Sequence, residues 1–385
     1  MSEWKKVKLG DYCEITSSKR CLASVRSKNG IPFFCSKEII CLDKGEDFEP
    51  TDFIPEELYN DIKAKYGVPT SGDLLLTTRG TNGIPYIYKP SDKFYFADGN
   101  LSWFKNFGKE LSPQYLYYWF KSPLGIHEVD AISKGTAQKA VPIDGLRRIV
   151  LLTPSLRIQN RIVEILSRYD SLIENYQKQI KLLEEAAQRL YKEWFVDLHF
   201  PGHESTNIVD GVPEGWEKKK VGEIAPIITG KKDANFGTPD GEYPFFTCSQ
   251  EPIKAPSFSF DCAAVLLAGN GDFNVKLYRG KFEAYQRTYV LSPYCAQHLY
   301  LLYYTISANM TKLAAGSSGS TIKFLTKGMI DGINLNIPND EILRSFNKKI
   351  EPIQSSREFL QSQLRLLTEA RDRLLPKLMS GEITV

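Results

Sequence analysis

The feature that most constrains the fold of this chain is a heptad seam that occurs twice. Ile162, Leu166, Tyr169, Ile173, Tyr176, Ile180, Leu183, Ala187, Leu190 and Trp194 step by four and three residues in alternation, which draws one apolar stripe along a single helix. Phe346, Ile350, Ile353, Arg357, Leu360, Leu364, Leu367, Arg371, Leu374 and Leu378 repeat that series at a constant offset of 184, apolar everywhere except at the two arginines. So narrow a stripe is stable only against a matching one, so the chain carries both halves of a coiled coil. A helix of about 40 residues is about 60 Å long, more than a small globular core requires, and it reads as a spacer.

The repeat continues outside the helices. Trp4 and Trp216 each open a Trp-x-Lys-x-Lys stretch 212 residues apart, and Pro32-Phe33-Phe34 and Pro244-Phe245-Phe246 keep that offset. It falls to 191 at Leu74-Leu75-Leu76 against Val265-Leu266-Leu267, and settles at 184 for Gly135/Gly319, Lys139/Lys323 and Pro154/Pro338. Most of the difference in length therefore lies between Phe34 and Leu74, where Glu56 to Lys65 has helical spacing. Short apolar runs such as DLLLTT, IPYIY, AVLLA and RTYVL, bounded by Gly, Asn, Asp or Pro, read as strands. Ser155 and Asn339/Asp340, each just after a proline, are N-cap candidates for the long helices.

The expected fold class is α+β. Two mixed α/β globular domains, at 1–153 and 214–337, are each followed by a long helix, at 154–197 and 338–385, with a Gly- and Pro-rich linker at 198–213. The two helices are expected to pair as an antiparallel coiled coil with pseudo-two-fold symmetry, because parallel pairing would require the chain to return the full helix length. Trp194 and Phe195, beside the linker, either close that coiled coil or form part of a partner-binding site. Arg357 and Arg371 either meet acidic groups or mark where a partner helix docks.

Several function classes are excluded by what is missing. No apolar run approaches the roughly 20 residues that span a bilayer, and MSEWKKVKLGDY lacks the apolar centre of a signal peptide, so a cytoplasmic location is expected. The seven cysteines contain no CxxC pair, which points to reduced thiols and to no metal site. His199 and His203 are separated by Pro201-Gly202 and cannot share a helix face. Asp240 and Glu251 lack the lysine that would complete a nuclease set. There is no P-loop and no Gly-x-Gly-x-x-Gly; Gly269-Asn270-Gly271 reads as a plain turn. No Asn- or Asp-Pro-Pro-aromatic stretch of an adenine methylase occurs. No catalytic residue is expected.

The net charge of +3 does not announce a polyanion partner, so nucleic-acid contact has to be read from loops. Cationic, amide and hydroxyl side chains on exposed turns suit DNA. In the first half these are Lys19 and Arg20; Thr78, Arg79, Thr81 and Asn82; and Lys134, Gly135, Thr136, Gln138 and Lys139. In the second they are Lys231 and Lys232; Asn270; and Ser318, Gly319, Ser320, Thr321 and Lys323. Any one of these loops alone fits a solvated turn equally well. The recurrence of Gly-[Thr/Ser]-x-x-Lys just before each final strand favours DNA. Arg79 and Gln138 have the fork geometry for guanine and adenine, whereas Lys139 and Lys323 suit phosphate.

The ensemble resembles the specificity subunit of type I restriction-modification enzymes, over essentially the whole chain. The most specific stretch is Leu190-Tyr191-Lys192-Glu193-Trp194-Phe195-Val196-Asp197, supported by Pro154 with Gln159 at the start of the first helix; the second copy has Leu343 where a glutamine would match. The resemblance implies two target-recognition domains, each reading one half of a split sequence in double-stranded DNA, with the helices fixing the separation. It implies docking of two modification (methyltransferase) subunits, which would bind S-adenosylmethionine and methylate adenine N6, and of restriction/translocase subunits. The specificity subunit itself would be non-catalytic, with no cofactor of its own. A stand-alone pseudo-dimeric DNA-binding regulator, an enzyme with an unrecognised site and a coiled-coil scaffold remain alternatives on the residues alone.

Overall fold

Two long helices, Leu156–Tyr191 and Asp340–Ser380, run unbroken in the computed structural model, which describes residues 4–135, 139–317, 319 and 323–385. The seam residues named above are buried or half-buried throughout, while the residues beside them are mostly exposed. The chain divides into two units, one formed by Met1–Gln177 with Ser362–Val385 and the other by Lys178–Gln361.

The first unit contains strands β1 (Lys5–Lys8), β2 (Glu14–Thr16), β3 (Ile31–Phe34), β4 (Phe53–Ile54), β5 (Leu74–Thr77), β6 (Pro85–Ile87), β7 (Tyr95–Phe96), β8 (Leu101–Lys105) and β9 (Val150–Thr153). An antiparallel sheet has the order β2-β8-β5-β6; a smaller one, β4-β3-β7, pairs β3 with β7 in parallel; β1 pairs with β9. Helices α1 (Ser36–Lys44), α2 (Glu56–Tyr66), α3 (Pro113–Lys121), α4 (Pro123–Ile132) and α5 (Ile143–Arg148) pack around them, and α6 (Leu156–Tyr191) begins after β9. The expected helix at Glu56 to Lys65 is thus present. Helix α3 starts with Pro113 at its first position, and the Ser112 hydroxyl accepts from the Tyr115 N–H at 3.4 Å. Its Tyr115, Leu116, Trp119 and Phe120 join Leu74, Leu76 and Phe104 in one core. Ile162 and Leu166 of α6 enter the same core, as do Leu378 and Met379 of the C-terminal helix. Arg371 meets Asp170 at 2.9 Å in this unit.

The second unit repeats this plan. A hairpin of β10 (Ile208–Val209) and β11 (Val212–Pro213) is followed by β12 (Glu217–Lys220), β13 (Ile227–Thr229), β14 (Tyr243–Phe246), β15 (Ile253–Ala255), β16 (Phe260–Ala268), β17 (Val275–Ala284), β18 (Thr288–Leu291) and β19 (Asn334–Ile337). β12 pairs with β19 from Glu217↔Ile337 to Lys220↔Asn334, the register of Lys5↔Thr153 to Lys8↔Val150 in the first unit. The remaining strands form one six-stranded sheet, β13-β18-β16-β17-β14-β15. The single sheet arises because β17 is unbroken over ten residues, where the first unit has β6 and β7 separated by a turn around Pro90. Helices α7 (Val221–Ile224), α8 (Leu299–Ala315), α9 (Lys327–Asp331) and α10 (Asp340–Ser380) complete it. The Asn339 side chain caps α10, accepting from the Ile342 N–H at 3.0 Å. Within this unit Glu184 of α6 meets Arg357 at 3.3 Å, and Phe195 lies edge-on to Phe346 with centroids 4.7 Å apart, so the helix segments run antiparallel here.

Two expectations change at the end of α6. The stretch at 198–213 is not simply a solvated linker: Phe200 is buried against Trp216, and Asp210-Gly211, both at positive φ, form the two-residue turn of the β10–β11 hairpin. Trp194 and Phe195 are 4% and 7% exposed within the core of the second unit, so they pack rather than present a surface to a partner.

Candidate nucleic-acid interface

Each unit gathers its exposed loops at the end of one central strand, and the backbone builds both gatherings alike. In the first unit β5 ends at Thr77, Thr78 follows it, and the chain then turns through Arg79 to Gly83. The turn is held by Gly83 N–H donating to the Thr77 carbonyl at 2.8 Å and by the Thr77 hydroxyl donating to the Thr81 carbonyl at 2.7 Å. Gly80 and Gly83 sit at φ +82° and +83°, where a side chain is strained. On one side Thr78 N–H donates to the Asn100 carbonyl at 2.8 Å; on the other, Val141 N–H donates to the Thr78 carbonyl at 3.0 Å. The second bond joins this turn to the neighbouring segment, where Lys134 and Ala140 exchange reciprocal backbone bonds at 2.8–2.9 Å. Asn82 donates its amide to the Lys139 carbonyl at 3.1 Å.

In the second unit Gly269 follows β16 as Thr78 follows β5. Its N–H donates to the Arg287 carbonyl at 2.8 Å, and Leu325 N–H donates to its carbonyl at 2.8 Å. Asn270 bridges to Phe324 as Arg79 bridges to Ala140. Gly135 and Gly319 have almost the same left-handed backbone, φ +103° and +108°. Segments that the sequence suggests separately therefore meet in each unit: 79–83 with Lys139 and Ala140, and Gly269-Asn270 with Phe324-Leu325 just after Lys323.

Lys19, Arg20, Arg79, Thr81, Lys134, Gly135 and Lys139 are exposed in the first unit, as are Lys231, Gly319 and Lys323 in the second. Lys19 N–H donates to the Tyr95 hydroxyl at 2.7 Å, and its ammonium lies 5.0 Å from the Tyr66 ring centre. Arg20 is 3.9 Å from Asp98, and Lys139 is 4.0 Å from Asp130, both loose and solvent-exposed pairs. Half-buried Lys232 stacks over Phe236 at 4.2 Å. Thr78 is a correction: it is 4% exposed, so its part is the backbone junction and not side-chain contact with DNA. Half-buried Asn82 and Asn270 brace the loops, the latter accepting from the Cys248 thiol at 2.8 Å. Thr136, Gln138, Ser318, Ser320 and Thr321 lie outside the described residues.

Sequence reasoning did not single out Ser36, Asn100, Cys248, Lys276 or Arg287. The Ser36 hydroxyl contacts the carbonyls of Arg79 and Asn100 at 3.0 and 3.1 Å, and Cys248 contacts Asn270 and the Arg287 carbonyl. The Phe34/Phe246 offset of 212 also relates Ser36 to Cys248, so this correspondence was available in the sequence. Lys276 donates to the Ser249 carbonyl at 2.7 Å, and burial lowers its ammonium pKa below the ordinary lysine value. Among the described residues no group of three or more His, Cys, Asp or Glu side chains could hold a metal ion. Nor is any described helix long and apolar enough to cross a membrane. What the constellation offers is cations, amides and free loop backbone on a rigid sheet, which suits binding to a polyanion with base edges.

Comparison with known proteins gives the same direction. Residues 1–185 and 213–358 match the family described as the type I restriction modification DNA specificity domain. The specificity subunit of the type I restriction enzyme EcoDI of Escherichia coli is 37% identical over 177 residues, which span 45% of this chain and 40% of that protein. The MjaIX specificity subunit of Methanocaldococcus jannaschii is 26% identical over 303 residues, spanning 71% of this chain and 69% of that one. The crystal structure of a type I restriction-modification S subunit from M. genitalium superposes with a TM-score of 0.65 over 98% of this chain and 96% of that chain, at 16% identity, and so shares the fold.

Proposed function

The chain belongs to the type I restriction-modification DNA specificity family, and from that premise we propose that it reads an asymmetric, bipartite site in double-stranded DNA, one half with each unit. The observation that carries this reading is the duplicated junction, Val141 N–H to Thr78 and Leu325 N–H to Gly269, which sets two unlike loop groups on one backbone plan. Equal backbone presents equal positions to DNA; unequal side chains select unequal sequences. The long helices serve as the ruler between half-sites. The chain performs no chemistry: it scaffolds two modification subunits, which bind S-adenosylmethionine and methylate adenine, and in the full assembly it positions restriction/translocase subunits as well.

The test is methylation mapping, by single-molecule sequencing, of a host that expresses the chain with its modification subunits. The expected result is a split motif with methyladenine in both halves. Gly135→Ala and Gly319→Ala force a side chain into left-handed backbone and should each impair recognition of one half only. A functional modification subunit with no split motif would reject the reading and favour a stand-alone regulator.

A further inference from the structure

The two loop groups share a backbone frame that reaches beyond the junction, and the side chains mounted on it are exchanged. Thr78 and Gly269 each donate to the carbonyl of a residue at the end of a turn leading into the next strand: Asn100 before β8, and Arg287 before β18. The residues that follow Thr78 and Gly269 are Arg79 and Asn270, bridged in turn to Ala140 and Phe324. A third point closes the frame. Ser36, the second residue after β3, touches the backbone carbonyls of both Arg79 and Asn100 through its hydroxyl; Cys248, the second residue after β14, touches the Asn270 side-chain oxygen and the Arg287 carbonyl through its thiol. Position 79 therefore corresponds to 270, position 100 to 287, and position 36 to 248. One unit places arginine on the first point and asparagine on the second; the other places asparagine on the first and arginine on the second.

We infer that these two points are the specificity-determining pair of each unit, and that Arg79 and Arg287 each read a guanine, from opposite sides of the same frame. The inference rests on the proposed reading of DNA by both units. Arg79 and Arg287 are exposed, and neither holds an ion pair among the described residues, so both guanidinium forks are available. An arginine fork matches guanine O6 and N7 in the major groove, a contact that a single ammonium cannot reproduce in full. The backbone atoms at these points are fixed by bonds of 2.8–3.1 Å to the sheet and to Ser36 in the first unit. Exchange of side chains on so fixed a frame moves the guanine-reading group sideways without moving the loop. Two recognition units of common descent acquire different half-sequences in this way, with no change of fold.

The experiment is selection from a library of randomised DNA duplexes by the full chain assembled with its modification subunits. The wild-type assembly should select a split motif with a fixed guanine in each half. Arg79→Ala should abolish the preference at one base pair of one half and weaken binding to the former best site roughly 5- to 150-fold, with the other half intact. Arg287→Ala should do the same to the other half. Arg79→Lys and Arg287→Lys retain the charge and should still lose most of the guanine preference, and the paired exchange Arg79→Asn with Asn100→Arg should shift the guanine within its half. A variant that weakens all sequences alike and lowers the salt dependence would place these arginines on phosphate and overturn the inference while leaving the bipartite reading intact. Selection of no motif by the wild-type assembly would overturn the function itself, and the inference with it.

Discussion

Gln159 shows how much can depend on one side chain. It is fully buried five residues after Pro154, in the first turn of α6, and its amide donates to the carbonyls of Glu110 and Pro154 at 2.8 and 2.9 Å while accepting from the Ser112 N–H at 2.9 Å. It ties the start of α6 to the turn before α3, and so fixes the direction in which the helix leaves the first unit. Its counterpart Leu343 is also buried, at 1% exposure, but among apolar neighbours. Each unit has solved the same junction, one by hydrogen bonds and the other by packing. Gln159→Leu should therefore not be the harmless change that Leu343 suggests: it leaves the buried Ser112 N–H and Pro154 carbonyl, and the partly buried Glu110 carbonyl, unpaired and should cost about 2–4 kcal/mol. Urea unfolding of the full chain measures this, and a midpoint unchanged from wild type would show that water or the backbone replaces the amide. At this scale the sequence was informative where residue types are unusual. Pro154 with Gln159 and the paired Gly135 and Gly319 stood out, whereas Ser36, Asn100 and Arg287 did not, because a serine after a strand or an arginine in a turn becomes meaningful only through the backbone carbonyl it meets.

At the scale of elements, the heptads made the helices legible without qualification, and the two arginines within the second seam are the informative exceptions. Arg357 is 7% exposed and donates to the Glu184 carboxylate at 3.3 Å and to the Tyr303 hydroxyl at 3.1 Å; the nearby Tyr303 and Glu184 help to keep its guanidinium charged against the cost of burial. Arg371 has Asp170 at 2.9 Å. Of the two explanations open on the sequence, pairing with acidic groups is the one observed at both positions. Buried pairs of this sort contribute register more than stability, since isosteric apolar replacement commonly does no harm while removal of one member does. Glu184→Ala should thus cost more than Arg357→Met, with the latter within about 1 kcal/mol of wild type and the former at about 1–2 kcal/mol, reduced by the partial exposure of Glu184. Thermal unfolding of the two variants beside wild type tests the order; an Arg357→Met variant much the less stable of the two would mean that the arginine packs in a way no apolar chain can match. Strands were legible as well, from Leu74-Leu75-Leu76 and its copy. Their grouping was not: the division of one sheet into two in the first unit follows from the interruption around Pro90, and pairing between distant strands leaves no local periodicity. The β10–β11 hairpin was masked by its setting, since its Asp-Gly turn lies in a stretch whose composition is that of a linker.

For the whole molecule the proposed role turns on length. The helices comprise 36 and 41 residues, about 54 and 62 Å at 1.5 Å per residue. Each also contributes residues to both units, so a change in helix length cannot be absorbed within one of them. If the pair is the ruler, then seven residues added to each helix at matched heptad positions should lengthen it by about 10 Å, or about 3 base pairs at 3.4 Å per step. A full heptad returns the apolar stripe to nearly the same face, with a drift of only about 20°, so the seam survives. Insertion in one helix alone breaks the match of Asp170 to Arg371 or of Glu184 to Arg357 and should destabilise the chain instead. The suitable sites lie between Ile173 and Ile180 and between Leu360 and Leu367, away from the residues that join each unit's core. Methylation mapping of the paired insertion should return the same two half-sequences separated by a longer spacer. The same half-sequences at the original spacing would show that separation is set elsewhere, by the modification subunits or by bending of the DNA, and the helices would then be scaffold without being ruler.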